Sequence, residues 1–411
     1  MMQTPHYDSL TNVANRFALI EYLQDLKHAN IFLVDIDNFN NINNNYGFET
    51  GDRVLVRIAE LLSLAKPYTS KLFRINSDEF AIVCLEMMSV QRLSDAASSM
   101  ISFFDQTEIE IAKNLNIKVS ISVGIAIGSG CEILNQARTA IEELREHKRA
   151  SFKIYDAGSA FIKKQQENIY WIHKIKEAFE EERLVTYYQP ILNNATNRVE
   201  KYECLIRICE NGILTPPMRF MEASKLTGTL SLVTKTVIAQ SFKMFSANED
   251  EFSINITNTD LYLNFLEEFL LKNAKKYGIL PSRVVLEILE DIDTLNTPEI
   301  LEQLNSLRRH GFKIAIDDFG SQSSNFSRLL EFSPDYLKID GSFIKNILTD
   351  KKSLVIVEAV VLLCKKSNIK IIAEFVHSAE VQAKVKELGI EYSQGYYLGE
   401  PSAELGKSSF A

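Results

Sequence analysis

The feature that most constrains this chain is where its acids fall. After Leu184, short β-rich runs alternate with helical patterns nearly to the C-terminus. The runs are Val185 to Ile191, Val199 to Ile208, Phe252 to Ile256, Val284 to Ile288, Lys313 to Ile316, Tyr336 to Ile339, Lys370 to Ala373 and Glu391 to Ser393. This rhythm predicts a TIM-like (β/α)8 barrel. Glu203 lies in the second strand, and Asn255 and Glu287 lie near the ends of the third and fourth. Asp317 and Asp318 follow the fifth directly, Lys338 and Asp340 close the sixth, and Glu374 ends the seventh. In such a barrel the strand ends converge on one face, where catalytic groups are placed. Singly, each acid reads as a helix cap or a surface charge; on consecutive strands they read as a site.

Carboxylates gathered this way repel one another unless cations neutralise them. Oxygen donors with one amide and no cysteine suit Mg²⁺ or Mn²⁺. Two such ions, about 3.5–4 Å apart, activate water against a phosphodiester. Lys338 would stabilise phosphate charge or orient that water.

The chain has 411 residues, too many for one ordinary core, and is 46% hydrophobic and 24% charged, a globular balance. Its 45 Lys and Arg against 54 Asp and Glu leave a net charge of −9. That excludes general attraction to duplex nucleic acid or anionic lipid, so phosphate binding needs local basic groups or metal. The five cysteines form no CxxC pair and no zinc-type cluster, which fits a reducing cytoplasm. No apolar stretch nears the roughly 20 residues of a membrane span, and Met1 to Leu10 lacks a secretory pattern. A cytoplasmic protein is expected.

The first third also alternates. Strands are expected at Ile31 to Ile36, Lys71 to Ile75, Phe80 to Leu85, Ile117 to Ile127 and Phe152 to Tyr155, with helices over Gly51 to Ala65 and Glu132 to His147. One sheet with helices packed against it follows. Asp35 and Asp37 end a buried strand, and Asp78-Glu79 sits in a tight turn, an arrangement able to hold Mg²⁺ on a nucleotide triphosphate. Polar, charge-rich 157–183 reads as a helix linking domain 1–156 to domain 184–411.

Residues 170–401 resemble the EAL phosphodiesterases of cyclic di-GMP signalling. The resemblance rests on Glu203-Cys204-Leu205-Ile206-Arg207, Tyr188-Gln189-Pro190-Ile191, Asn255, Glu287 with Glu290, Asp317-Asp318-Phe319-Gly320, Lys338-Ile339-Asp340, Ala373-Glu374 and Gln394-Gly395-Tyr396. It implies a (β/α)8 barrel that uses two divalent ions, Mg²⁺ or Mn²⁺, to cut cyclic di-GMP to linear pGpG. Glu203, Asn255, Glu287 and Asp317 would bind one ion; Asp317 and Asp318 would serve the pair, with Asp340 close by. Lys338 would hold a metal-bound water or phosphate, and Glu374 would act as base or metal partner. Gln189, Leu205, Arg207 and Gln394 would contact substrate, and Glu290 would brace the loop after Gly320.

Residues 8–156 resemble a GGDEF diguanylate cyclase domain, an α/β sandwich, through Asp8-Ser9-Leu10-Thr11-Asn12, Asp35-Ile36-Asp37, Asn43, Gly51-Asp52 and Ser122-Val123-Gly124. That resemblance implies Asp35, the Ile36 carbonyl and Asp78 as metal ligands, Asn43 and Asp52 as guanine readers and Glu79 as the catalytic acid. It also implies a homodimer.

Both halves depart from their families. Asn76-Ser77 replaces paired glycines, and Arg138 and Glu142 stand where the family has Asp and Tyr. Glycine permits a left-handed backbone and close approach to phosphate, which side chains obstruct. The first domain is therefore expected to be degenerate, binding GTP or regulating rather than synthesising. In the barrel, Cys204 replaces Ala, Gln322 a glycine, and Phe375 and His377 the Gly and Glu of Glu-Gly-Val-Glu. Gln322, Phe375 and His377 motivate the rival reading, an inactive cyclic di-GMP receptor acting through a partner.

Overall fold

A computed structural model describes residues 6–112, 115–146, 151–263, 265–289, 297–320 and 332–406. Glu290 and Gln322 lie outside them. The chain divides into two compact units, Met1–Lys164 and Gln165–Ala411. Among the described residues no helix is long and apolar enough to cross a membrane.

The first unit carries a six-stranded sheet. Its strands are β1 (Ala14–Asn15), β2 (Ala29–Ile36), β3 (Ser70–Arg74), β4 (Glu79–Cys84), β7 (Ile121–Gly128) and β8 (Phe152–Ile154), in the order β1-β3-β4-β2-β7-β8. A separate hairpin pairs β5 (Glu108–Ala112) with β6 (Leu115–Lys118). The single strand expected over 117–127 is thus two, with the break at Val119-Ser120. β2 is buried along its whole length because helices cover both faces, which explains its unbroken apolar run. Phe32 and Val34 face one core, and Ile31 and Leu33 the other. Gly124 admits the helix Glu132–Glu146 directly onto β7, since a Cβ there would lie 2.1 Å from the Ala137 carbonyl oxygen.

The second unit is a closed barrel of eight strands: β9 (Leu184–Asn193), β10 (Arg198–Glu210), β12 (Glu251–Ile256), β13 (Val284–Leu289), β14 (Lys313–Phe319), β15 (Tyr336–Ile339), β16 (Lys370–Ala373) and β17 (Tyr392–Gln394). A short β11 (Ile213–Thr215) extends β10. The neighbours from β10 to β17 run parallel, but β9 is antiparallel to both β10 and β17. The barrel is therefore TIM-like with one strand reversed. The stretch between the first two strands is too short for a crossover, which takes roughly a dozen residues, so a hairpin is the only connection available.

Side-chain alternation sets the interior. Ile191, Val285, Ala315, Tyr336, Ile372 and Tyr392 form an apolar plug inside the barrel. Two residues beyond each on the parallel strands, on the same face, come Glu287, Asp317, Lys338, Glu374 and Gln394. On the reversed β9 the matching step runs backward, from Ile191 to Gln189.

Candidate active site

Lys338 sits at the centre, with 1% of its side chain exposed. Its ammonium lies 2.8 Å from Glu287 Oε2, 2.8 Å from Glu374 Oε1, 3.0 Å from Asp317 Oδ1 and 3.4 Å from Glu203 Oε2. Burial works against its charge, yet Asp317, Glu203, Glu287 and Glu374 together hold it protonated well above the ordinary lysine range.

Glu203 is braced from several sides. Asn255 Nδ2 donates to its Oε1 at 2.8 Å, and Gln394 Nε2 to its Oε2 at 2.6 Å. Gln394 Nε2 also donates to Gln189 Oε1, at 3.1 Å. Gln189 is the register partner of Glu203 across the β9–β10 pair. Both glutamines, named from sequence as substrate contacts, are thus buried, with Gln394 bonded to a site acid and Gln189 bonded to Gln394. Burial pushes Glu203 up, but Lys338 and the bonds from Gln394 and Asn255 bring it below the ordinary value.

The other acids are short of positive charge. Burial drives Glu287 well above the usual range despite Lys338, and its Oε1 is buried without a partner. Burial also lifts Glu374 to about 8 and Asp318 to about 6, with Asp317 adding to both. Desolvation and like-charge crowding of this kind are relieved by bound cations.

Asp317 and Asp318 are consecutive, and strict alternation would send them to opposite faces. Between Ile316 and Phe319 the β14–β15 register slips, leaving one extra residue on β14. Such a bulge redirects side chains, and Asp318 takes a left-handed φ of 54°. Asp317, Asp318 and Glu374 consequently offer oxygens within 4.8 Å of one another, the one such group among the described residues. Asp340 is not in it; its Oδ1 caps the helix Gly341–Lys345 by accepting from Ser342 N at 2.8 Å.

A cleft of about 370 Å³ opens beside Glu203 and Glu374, and Gln189, Leu205, Arg207 and Gln394 also line it. Phe375, His377, Tyr396 and Pro401 complete the wall. Tyr396 belongs to the Gln394-Gly395-Tyr396 run, whereas Pro401 carries no acid or base and only its position after β17 marks it in the sequence. Cys204, in the signature, is buried, as is its neighbour Glu203.

The first unit has a different character. Asp35 is the last residue but one of β2, with Glu79 opposite on β4 and Ser122 opposite on β7. Arg145 Nη2 pairs with Asp35 Oδ2 at 2.8 Å, and Arg138 Nη2 with Glu79 Oε2 at 2.8 Å. Asn76 Nδ2 also bonds Glu79. Both guanidinium groups come from the helix seated on Gly124; the Arg145 pairing has no sequence signal. Neither Asn76 nor Ser77 adopts a positive φ, so this turn takes a path that glycines do not require. An open cleft of about 920 Å³ is lined by Asp35, Ile36, Asp78 and Arg145 among others. Asn43 and Asp52 are not in its lining; the Asn43 amide lies where a Cβ of Gly51 would stand.

The EAL domain model matches residues 172–401, and the diguanylate cyclase GGDEF domain model matches residues 5–151. Cyclic di-GMP phosphodiesterase PdeB of Shewanella oneidensis is 29% identical over 98% of this chain and 48% of its own length. The chain spans about half the length of the curated relatives it matches. Among solved structures, the PaMucR phosphodiesterase in its c-di-GMP complex has a TM-score of 0.54 at 26% identity, covering 56% of this chain and 97% of its own. Bacillus subtilis YkuI, in complex with substrate c-di-GMP and calcium, has a TM-score of 0.50 at 28% identity, covering 55% of this chain and 57% of its own. With more than half of its length matched by the EAL model, the chain belongs to the EAL domain family, and a GGDEF domain precedes that domain in tandem.

Proposed function

We propose that this chain is a metal-dependent phosphodiesterase that hydrolyses cyclic di-GMP to linear pGpG. The observation that carries the reading is the ring of Glu203, Glu287, Asp317 and Glu374 around buried Lys338. The donor chemistry fits hard divalent cations such as Mg²⁺ or Mn²⁺, since it is all oxygen and includes an orphaned buried Glu287 Oε1. Glu203, Asn255, Glu287 and Asp317 would hold one ion, and Asp317 and Asp318 the other, with Asp340 nearby. Two ions supply an activated water and neutralise phosphate charge.

The remaining roles fall to this chain's own side chains. Lys338 steadies the attacking water or a phosphate oxygen, and Glu374 takes the water's proton. Arg207, which makes no ion pair with a carboxylate among the described residues, faces the cleft for the substrate phosphate. Leu205 supports the substrate, while Gln189 and Gln394 keep Glu203 aimed.

In the first domain, Arg138 and Arg145 occupy acids that a cyclase would use for catalysis and metal. That favours a degenerate GGDEF domain that binds GTP and regulates the barrel. Two reactions test this: GTP supplied alone is expected to give no cyclic di-GMP, and GTP added beside cyclic di-GMP is expected to alter the rate of pGpG formation. Synthesis of cyclic di-GMP from GTP would overturn the degenerate reading. Cyclic di-GMP bound but uncut in Mg²⁺ and Mn²⁺ would instead make the barrel a receptor.

A further inference from the structure

Immediately after Glu374 the backbone enters the left-handed region, with Phe375 at φ 56°. Bulky side chains avoid this conformation, and glycine is the residue it favours. The ring then gains little from the core, being 63% exposed. It rests on the backbone of Gly341, where an added Cβ would come within 2.4 Å of Phe375 Cδ2 and 2.8 Å of Cγ. A glycine at 341 thus makes room for the ring, and β15 and β16 fix its position at the cleft wall beside Glu374. The same wall holds Leu205, Pro401 and Tyr396, apolar surface next to the Arg207 guanidinium.

A strained backbone, a glycine seat and an exposed aromatic ring at a cleft mouth are not explained by packing. We propose that Phe375 is a substrate-binding residue, its ring forming the wall on which a purine base of the substrate stacks. Every base offers a π-face, and an aromatic side chain held in place loses little freedom when it stacks. The purine would lie against Phe375 while the phosphodiester reaches Glu203 and Glu374. This inference rests on the cyclic di-GMP reading of the same site.

The test compares wild type with Phe375→Leu, Phe375→Tyr and Phe375→Gly in steady-state hydrolysis of cyclic di-GMP. Leucine keeps the apolar bulk but removes the π-face. Phe375→Leu is expected to raise KM by about 5- to 100-fold, the range of one lost base stack, with kcat little changed. Phe375→Tyr is expected to restore KM. Phe375→Gly should melt no lower than wild type, because glycine relieves the backbone, and still show the raised KM. An unchanged KM in Phe375→Leu, or a loss confined to kcat, would overturn the stacking role while leaving the hydrolase reading intact. Absence of both binding and turnover in wild type would sink the hydrolase reading, and this one with it.

Discussion

The Lys338 ammonium donates to Glu287 Oε2 at 2.8 Å, and neither side chain is more than 1% exposed. A buried charge left without its partner costs about 3–5 kcal/mol. Lys338→Met is therefore expected to lose stability of that order in EDTA, measured by urea unfolding, and to lose nearly all hydrolysis. An unchanged unfolding midpoint would show that the four carboxylates do not depend on this cation.

Gln394 tests the bracing of Glu203. Its amide contacts both Glu203 Oε2 and Gln189 Oε1. Outer groups that aim a metal ligand are worth about 10- to 100-fold in activity or metal affinity. Gln394→Ala should reduce hydrolysis by that factor and raise the Mg²⁺ concentration needed for half-maximal rate, with the circular dichroism spectrum preserved.

At the other end of the barrel, Glu251 pairs with both Lys201 and Lys313, and Tyr336 donates to its Oε1 at 3.1 Å. Lys201 also lies 4.1 Å from the Tyr336 ring centroid and 4.7 Å from that of Tyr392. Conserving charge balance there serves stability rather than chemistry. Glu251→Gln should lower stability, because it leaves Lys201 and Lys313 without the carboxylate between them. Turnover per folded molecule should be unchanged, and adding Lys201→Met should recover part of the loss.

Asp8 gives a pH-dependent contact. Burial opposes its charge, but hydrogen bonds from Thr11 and the Arg74 guanidinium at 2.7 Å hold its carboxyl below the ordinary value of 3.8. A depressed folded pKa means the contact stabilises fully above pH 3.8 and fades as pH falls below it. The stability gap between wild type and Asp8→Ala, read by denaturant titration, should be constant near neutrality and close at strongly acid pH. A gap that widens on acidification would contradict this.

Much of the barrel was legible because its central strands are short apolar runs closed by acids, as in Val284–Leu289 followed in order by Lys313–Phe319 and Tyr336–Ile339. Alternation then carried Glu287, Asp317 and Lys338 inward together. The reversed β9 was legible in principle from the short turn before Arg198, but strand rhythm alone does not carry direction. The bulge that turns Asp317 and Asp318 to one side depends on a register slip against β15, which no local pattern records. Likewise, Arg145 reaches Asp35 only because Gly124 lets a helix settle on β7, a long-range fact. In the first unit, the break at Val119-Ser120 hides inside an alternating run.

The central claim is most directly tested by chromatography of the products formed from cyclic di-GMP by the purified chain in Mg²⁺ or Mn²⁺, beside Glu203→Ala and Glu374→Ala. The account predicts pGpG from wild type and at most a trace from either variant. Intact cyclic di-GMP in the wild-type reaction, or equal pGpG from all three proteins, would contradict it.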